Sequence, residues 1–155
     1  MIVSLRAVMD EDLPILFEHQ LDPEANRMAA FAPRARDAFM AHWSKILRDE
    51  TGITRTVVVD DRVAGNVVSW LERPGRRLVG YWIGRDHWGK GVATRALSEF
   101  VGTVTERPLF ARVAMHNVAS IRVLEKCGFT VTNDDDAGPS DAVDDVEELL
   151  LRLDG

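Results

Sequence analysis

The stretch Leu78–Thr94, LVGYWIGRDHWGKGVAT, decides the reading of this chain. Its first part has the apolar run and the length of a strand, bounded as Arg77–Gly84. Gly89 and Gly91 then let the backbone turn tightly and approach a ligand closely. A helix starts at about Gly91 and runs to Glu106, with Val92, Ala96, Leu97, Phe100, Val101 and Val104 on one face and Pro108 barring its continuation. Free N–H groups at a helix start, reinforced by the helix dipole, make an anion site that suits a pyrophosphate. The same glycines also suit a plain strand-to-helix turn, and G-x-G before a helix does not separate the two readings.

Outward from this segment, Leu109–Val113 reads as a strand and Asn117–Lys126 as a helix, with Gly128 in the position that ends it. Phe129–Thr132 and Val146–Leu153 read as further strands. The strand–helix–strand unit over residues 78–113 implies a parallel pair. Upstream, Val3, Leu5 and Ala7 alternate with polar residues as a strand does. Asp10 and Asp12 supply capping oxygens for a helix whose apolar face is Leu13, Leu16, Phe17 and Leu21. Residues 22–36 read as a loop with some helix. Phe39, Trp43, Ile46 and Leu47 mark a second helix, ended by Gly52. Thr54–Val59 and Val63–Leu71 flank the turn Asp60-Asp61-Arg62. Residues 133–145 hold six aspartates with Gly138 and Pro139, the composition of a mobile acidic loop.

The 155 residues suit one domain, and 46% hydrophobic residues suffice for a core. The single cysteine, Cys127, rules out an intrachain disulfide and favours a reducing, cytoplasmic setting. The N-terminus lacks the basic region and cleavage site of a signal peptide, and no apolar stretch is long enough to span a membrane. A net charge of −6 argues against nucleic acid as the partner. It is compatible with a cationic substrate and equally with plain solubility. His19, His42, His87 and His116 are scattered, without metal-ligand spacing. The four tryptophans are candidates for a homodimer surface, for core or for a ligand site.

A second stretch, Asn117–Phe129 (NVASIRVLEKCGF), gives the first its context. The pair WGKGVAT and NVASIRVLEKCGF resembles the two signatures of the GNAT N-acetyltransferases, and more narrowly the branch of the ribosomal-protein N-terminal (alanine) acetyltransferases. The resemblance is specific over residues 78–129, and the element order extends it to one domain over residues 1–155. It implies an α/β fold with a mixed, mostly antiparallel central sheet flanked by helices on both faces. It also implies acetyl-CoA as co-substrate, no metal, and a small-molecule or peptide amine as acceptor. On this resemblance the strand holding Trp82, Ile83 and Gly84 splays from its neighbour and pairs with the pantetheine arm. The pyrophosphate rests on the amides from Gly89 through Lys90, Gly91, Val92 and Ala93 to Thr94, beside Trp88. Asn117 and Ser120 approach the arm from the next helix, although Asn117 is equally an N-cap and Ser120 a satisfier of backbone groups. Arg122 and Lys126 read as solvated charges, and Cys127 as a structural thiol.

The catalytic groups depart from the family pattern. The general-acid tyrosine often found seven residues after the asparagine is Leu124 here, and the glutamate common two residues before Gly-Tyr is Leu78. The remaining candidates are Tyr81, His87, Glu72 and Ser120, with Glu18 and His19 behind them. Deprotonating a lysine-type amine of pKa ~10.4 near pH 7.4 costs about 4 kcal/mol, whereas an α-amine of pKa ~8 costs under about 1 kcal/mol. A site without a strong base therefore suits a low-pKa acceptor: a peptide N-terminus, an amino acid or an amino sugar. The alternative is a CoA-binding module of this fold without catalysis. The acceptor pocket is expected from residues 22–36, the loop between Leu71 and Arg77, and the C-terminal part.

Overall fold

The computed structural model describes residues 1–132 and 146–155. The chain runs through β1 (Val3–Arg6), α1 (Leu13–His19), α2 (Pro23–Ala29), α3 (Arg36–Arg48), β2 (Ile53–Val59), β3 (Arg62–Arg73) and β4 (Arg76–Ile83). It continues through α4 (Val92–Thr103), β5 (Leu109–Ala114), α5 (Val118–Lys126), β6 (Thr130–Val131) and β7 (Glu148–Leu153). The strands make one sheet in the order β1-β2-β3-β4-β5-β7-β6. Every neighbouring pair is antiparallel except β4 and β5.

Tight turns set the antiparallel half. Asp60 and Asp61 sit at φ 48° and 69°, the two left-handed positions of a two-residue hairpin that matches strand twist. The Asp60 carboxylate also accepts the Ile2 N–H at 2.8 Å, fixing the start of β1 beside the hairpin. Pro74 and Gly75 turn β3 into β4, pairing Arg73 with Arg76.

The two faces of the sheet bury separate clusters. Phe100, Leu97, Ala96 and Val92 of α4, with Leu124 of α5, pack on Val57, Val67, Val79 and Leu109. On the other face Leu16 and Phe17 of α1 meet Phe39 and Trp43 of α3, against Val63 and Val68. Spacings of three and four along α4, and of four between Phe39 and Trp43 of α3, make the apolar stripes of these two helices. Burying a leucine or phenylalanine side chain of this kind contributes about 1.5–3 kcal/mol.

Several expectations are corrected. Asp12 does not cap α1: its carboxylate is buried between Arg6, at 2.7 and 2.9 Å, Thr56 Oγ1 at 2.7 Å and the Met9 N–H at 2.9 Å. It ties β1 and β2 to the turn before the helix. Leu21 falls beyond the end of α1 and is exposed. Residues 22–36, expected as a loop with some helix, hold α2 as that helix, because the Asp22 carboxylate accepts the Ala25 N–H at 2.9 Å and Pro23 fits the first turn. Helix α4 ends at Thr103, before the expected Glu106. The acidic loop 133–145 lies outside the described residues. Among the described residues no helix is long and apolar enough to cross a membrane.

One topological feature positions the site. β4 and β5 pair only at Arg77↔Leu109 and Leu78↔Phe110. Beyond Leu78 the two strands diverge, while β5 keeps β7 on its other edge along its whole length.

Candidate active site

The divergence opens a cleft of about 600 Å³. Its walls are Tyr81, Trp82 and Ile83 of β4, the turn through His87, Trp88, Gly89 and Gly91, the start of α4 at Val92, Ala93 and Thr94, and the first turns of α5 at Asn117 and Ser120. Of the residues expected to hold the co-substrate, Gly84 and Lys90 stand outside this lining, Lys90 with its side chain exposed.

Gly89 and Gly91 adopt φ 74° and 77°, a region costly for residues with a β-carbon. Gly91 is the N-cap of α4 and no side chain caps the helix. The first N–H groups of α4 therefore lack both an intrahelical and a side-chain partner, and the helix dipole adds roughly half a positive charge there. Arg122 and Lys126, read from sequence as solvated charges, are exposed but line this cleft from α5. The combination attracts an anion.

At the end of β4 some backbone groups are already engaged. The Trp88 indole N–H donates to the Ile83 carbonyl at 2.8 Å, and the Gly84 N–H donates to the Ala64 carbonyl at 2.8 Å. Asn117 is the N-cap of α5, its Oδ1 accepting the Ser120 N–H at 3.2 Å, and it lines the cleft as well. The Tyr81 hydroxyl lies 2.5 Å from Ser120 Oγ. Burial pushes the Tyr81 pKa up to about 12, with the Ser120 hydrogen bond pulling the other way. The hydroxyl therefore stays protonated at neutral pH and acts as a hydrogen-bonding group, not as a base.

The other candidates separate. His87 lines the cleft, its Nδ1 buried without a partner. The His19 ring packs on the backbone of Gly84, and burial, then the charge of His87, lowers its pKa. Glu18 is exposed on α1. Glu72 forms a largely buried ion pair with Arg112 through two hydrogen bonds, one of them Nη2 to Oε1 at 3.0 Å. Leu78 and Leu124, at the two departures from the family pattern, are both buried, Leu124 in the apolar core and Leu78 at the wall of a second cavity. Burial also raises the Cys127 thiol pKa, against a role as nucleophile.

A second cavity, of about 560 Å³, adjoins the first, since Ala29 and Trp82 line both. Side chains alternate along β4, so Leu78, Gly80 and Trp82 belong to the face of α1 and α3, opposite Tyr81. The expected acceptor segments contribute Phe31, Leu71, Glu72 and Glu148. Sequence reasoning missed His42, Lys45 and Asp49 of α3 and its end, and Arg112. The expected segment 22–36 also reaches the cleft, through Ala25, Met28 and Ala29 of α2. The tryptophans divide between core (Trp43) and cavity walls (Trp70, Trp82 and Trp88). Among the described residues no three His, Cys, Asp or Glu side chains are grouped as a metal site would need.

The profile of the acetyltransferase (GNAT) domain family matches residues 3–130. An uncharacterized N-acetyltransferase, p20, of Bacillus licheniformis is 27% identical over 141 residues, covering 82% of this chain and 78% of that protein. Among solved structures, the spermidine N-acetyltransferase of Vibrio cholerae in complex with CoA and spermine superposes with a TM-score of 0.79 at 15% identity, covering 97% of this chain and 94% of that one. The aminoglycoside acetyltransferase AAC(6')-Ib in complex with coenzyme A and kanamycin has a TM-score of 0.73 at 18% identity, covering 96% and 93%.

Proposed function

This chain belongs to the acetyltransferase (GNAT) domain family, and on that premise we propose that it moves the acetyl group of acetyl-CoA to the nitrogen of a low-pKa primary amine. The observation that carries the reading is the divergence of β4 from β5 directly beside an uncapped, glycine-led helix start. Acetyl-CoA supplies an activated thioester. The acceptor nitrogen forms a bond to the acetyl carbon, the carbon–sulfur bond breaks, and the amine proton passes to solvent as the CoA thiol is released.

The chain's own residues bind and orient. The amides from Gly89 to Thr94, with Arg122 and Lys126, hold the pyrophosphate. The open edge of β4 near Trp82 carries the pantetheine arm in the manner of a missing strand. A backbone N–H near Trp82 or Ile83 donates to the oxygen on which negative charge develops. Tyr81, hydrogen-bonded to Ser120, contributes a neutral donor beside α5. With its pKa near 12 it is a poor source of a proton for a thiolate of pKa ~8.5, which leaves without one.

Among the described residues no strong base lines the cleft, which favours an acceptor that is partly neutral at physiological pH. A peptide N-terminus, as in the ribosomal-protein alanine acetyltransferases, an amino acid or an amino sugar meets this condition. The polyamine and aminoglycoside enzymes above share the fold at 15–18% identity, a likeness too distant to carry their acceptors over. A cytoplasmic setting fits the lone thiol of Cys127. Neither nucleic acid nor membrane is needed, and a homodimer is compatible with this reading.

The co-substrate site is tested by thermal melts with acetyl-CoA and, separately, with ATP. A rise of several degrees with acetyl-CoA alone is expected. No shift at millimolar acetyl-CoA would overturn the reading.

A further inference from the structure

The second cavity has an aromatic floor. Trp70 on β3 pairs with Leu78 on β4, and its ring leans across to Gly80. A β-carbon at Gly80 would stand 3.4 Å from two atoms of that ring, so any side chain there would compete with the indole for its place. Two positions on, the same face of β4 presents Trp82, whose indole N–H donates to the His19 carbonyl at 3.2 Å and whose orientation is thereby fixed. Phe31 stands edge-on to it at a centroid distance of 5.4 Å. Trp70 keeps 39% of its surface exposed, a large apolar area turned toward the cavity.

The charges of the described residues around this floor nearly balance. Among the described residues the lining carries Asp49, Glu72 and Glu148 against Lys45 and Arg112, with His42 beside them. Glu72 is already held by Arg112 on both carboxylate oxygens. A polyamine or an aminoglycoside brings several positive charges and calls for several carboxylates. An aromatic floor with near-neutral walls instead suits a single amine on an apolar body, where ring contacts supply the recognition.

From this arrangement we infer that the acceptor is a monoamine whose α-carbon bears an aromatic or other large apolar group, as at a peptide N-terminus with such a first residue. The group rests against Trp70, whose ring covers Gly80, and Trp82, and the amine points toward Ala29 and Trp82, which line both cavities. This inference rests on the transfer reading given above, with the same bonds made and broken.

The test compares kcat/KM for phenylalaninamide, leucinamide, glycinamide, spermidine and kanamycin, with acetyl-CoA as donor. Phenylalaninamide is expected to exceed glycinamide by about 100-fold, the discrimination a shaped apolar pocket provides. In Trp70→Leu and Gly80→Val that preference ratio is expected to fall about tenfold. Melting with acetyl-CoA should still shift in both variants, which shows that each is folded. Glycinamide turned over as well as phenylalaninamide, or a preference for spermidine or kanamycin, overturns the inference and leaves acetyl transfer standing. A melt shifted by acetyl-CoA with no amide acetylated overturns both the α-amine reading and the inference.

Discussion

The hydroxyl of Tyr81 on β4 stands 2.5 Å from Oγ of Ser120 on α5. This contact links the strand that ends at the open edge to the first turn of the helix across the cleft. It also brings together two candidates that lie 39 residues apart in sequence. Nothing local in sequence announces it.

The Tyr81–Ser120 pair yields the first prediction. Tyr81→Phe keeps the ring in the core cluster and removes only the hydroxyl. The loss of one such hydrogen bond lowers kcat by about tenfold. Because the native hydroxyl titrates only near pH 12, the midpoints of the kcat–pH profile between pH 6 and 10 stay in place. A midpoint that disappears in the variant would show that Tyr81 exchanges its proton during turnover.

Gly91→Ala tests the glycine turn. The left-handed φ of 77° costs about 1–2 kcal/mol with a β-carbon present, while that carbon meets nothing within 4 Å. The melting temperature is expected to drop by about 2–6 °C. The acetyl-CoA Kd, measured by titration calorimetry, is expected to rise at least about tenfold as the helix-start amides lose their alignment. Unchanged affinity would place the anion elsewhere.

Asp12 sets an acid-stability signature. Its pKa is lowered from 3.8 to about 2, first by the Arg6 hydrogen bond and with burial opposing. A carboxyl with a depressed folded pKa contributes stability that is complete above its unfolded value. That contribution is lost as the pH falls from about 4 toward 2, and is on the order of 1–2 kcal/mol. Urea unfolding of the native protein should show this loss. Asp12→Asn should be less stable at pH 7 and flatter between pH 4 and 2.

Glu72 and Arg112 form a structural pair in the acceptor cavity. Removing either partner takes two charge-assisted hydrogen bonds from the largely buried charge of the other, so Glu72→Leu or Arg112→Met is expected to cost about 3 kcal/mol. The double variant should recover most of that loss in chemical denaturation. Simple additivity of the two costs would refute the coupling.

The fold was legible where local chemistry and tertiary context agree. Asp60-Asp61-Arg62 read as a hairpin turn, which Asp60 and Asp61 form with Arg62 already in β3, and the stripe of α4 faces the core as its periodicity required. Asp12 misled because a capping residue type was claimed by a tertiary partner, Arg6, that no local pattern reveals. At the site, the glycine turn and Asn117 were visible as motifs. The aromatic floor was not, because it depends on Trp70 crossing to Gly80 from a neighbouring strand. The engagement of Glu72 with Arg112 likewise exists only once β3 and β5 lie in one sheet.

The central claim is transfer from acetyl-CoA to a low-pKa amine. It is tested most directly by thiol release near pH 7.4, comparing an α-amine (phenylalaninamide or alaninamide) with the side-chain amine of Nα-acetyl-lysinamide. The account predicts that the better α-amine is turned over about 100-fold faster, in line with the difference in neutral amine available. Rapid release with the lysine side chain and none with either α-amine would contradict it.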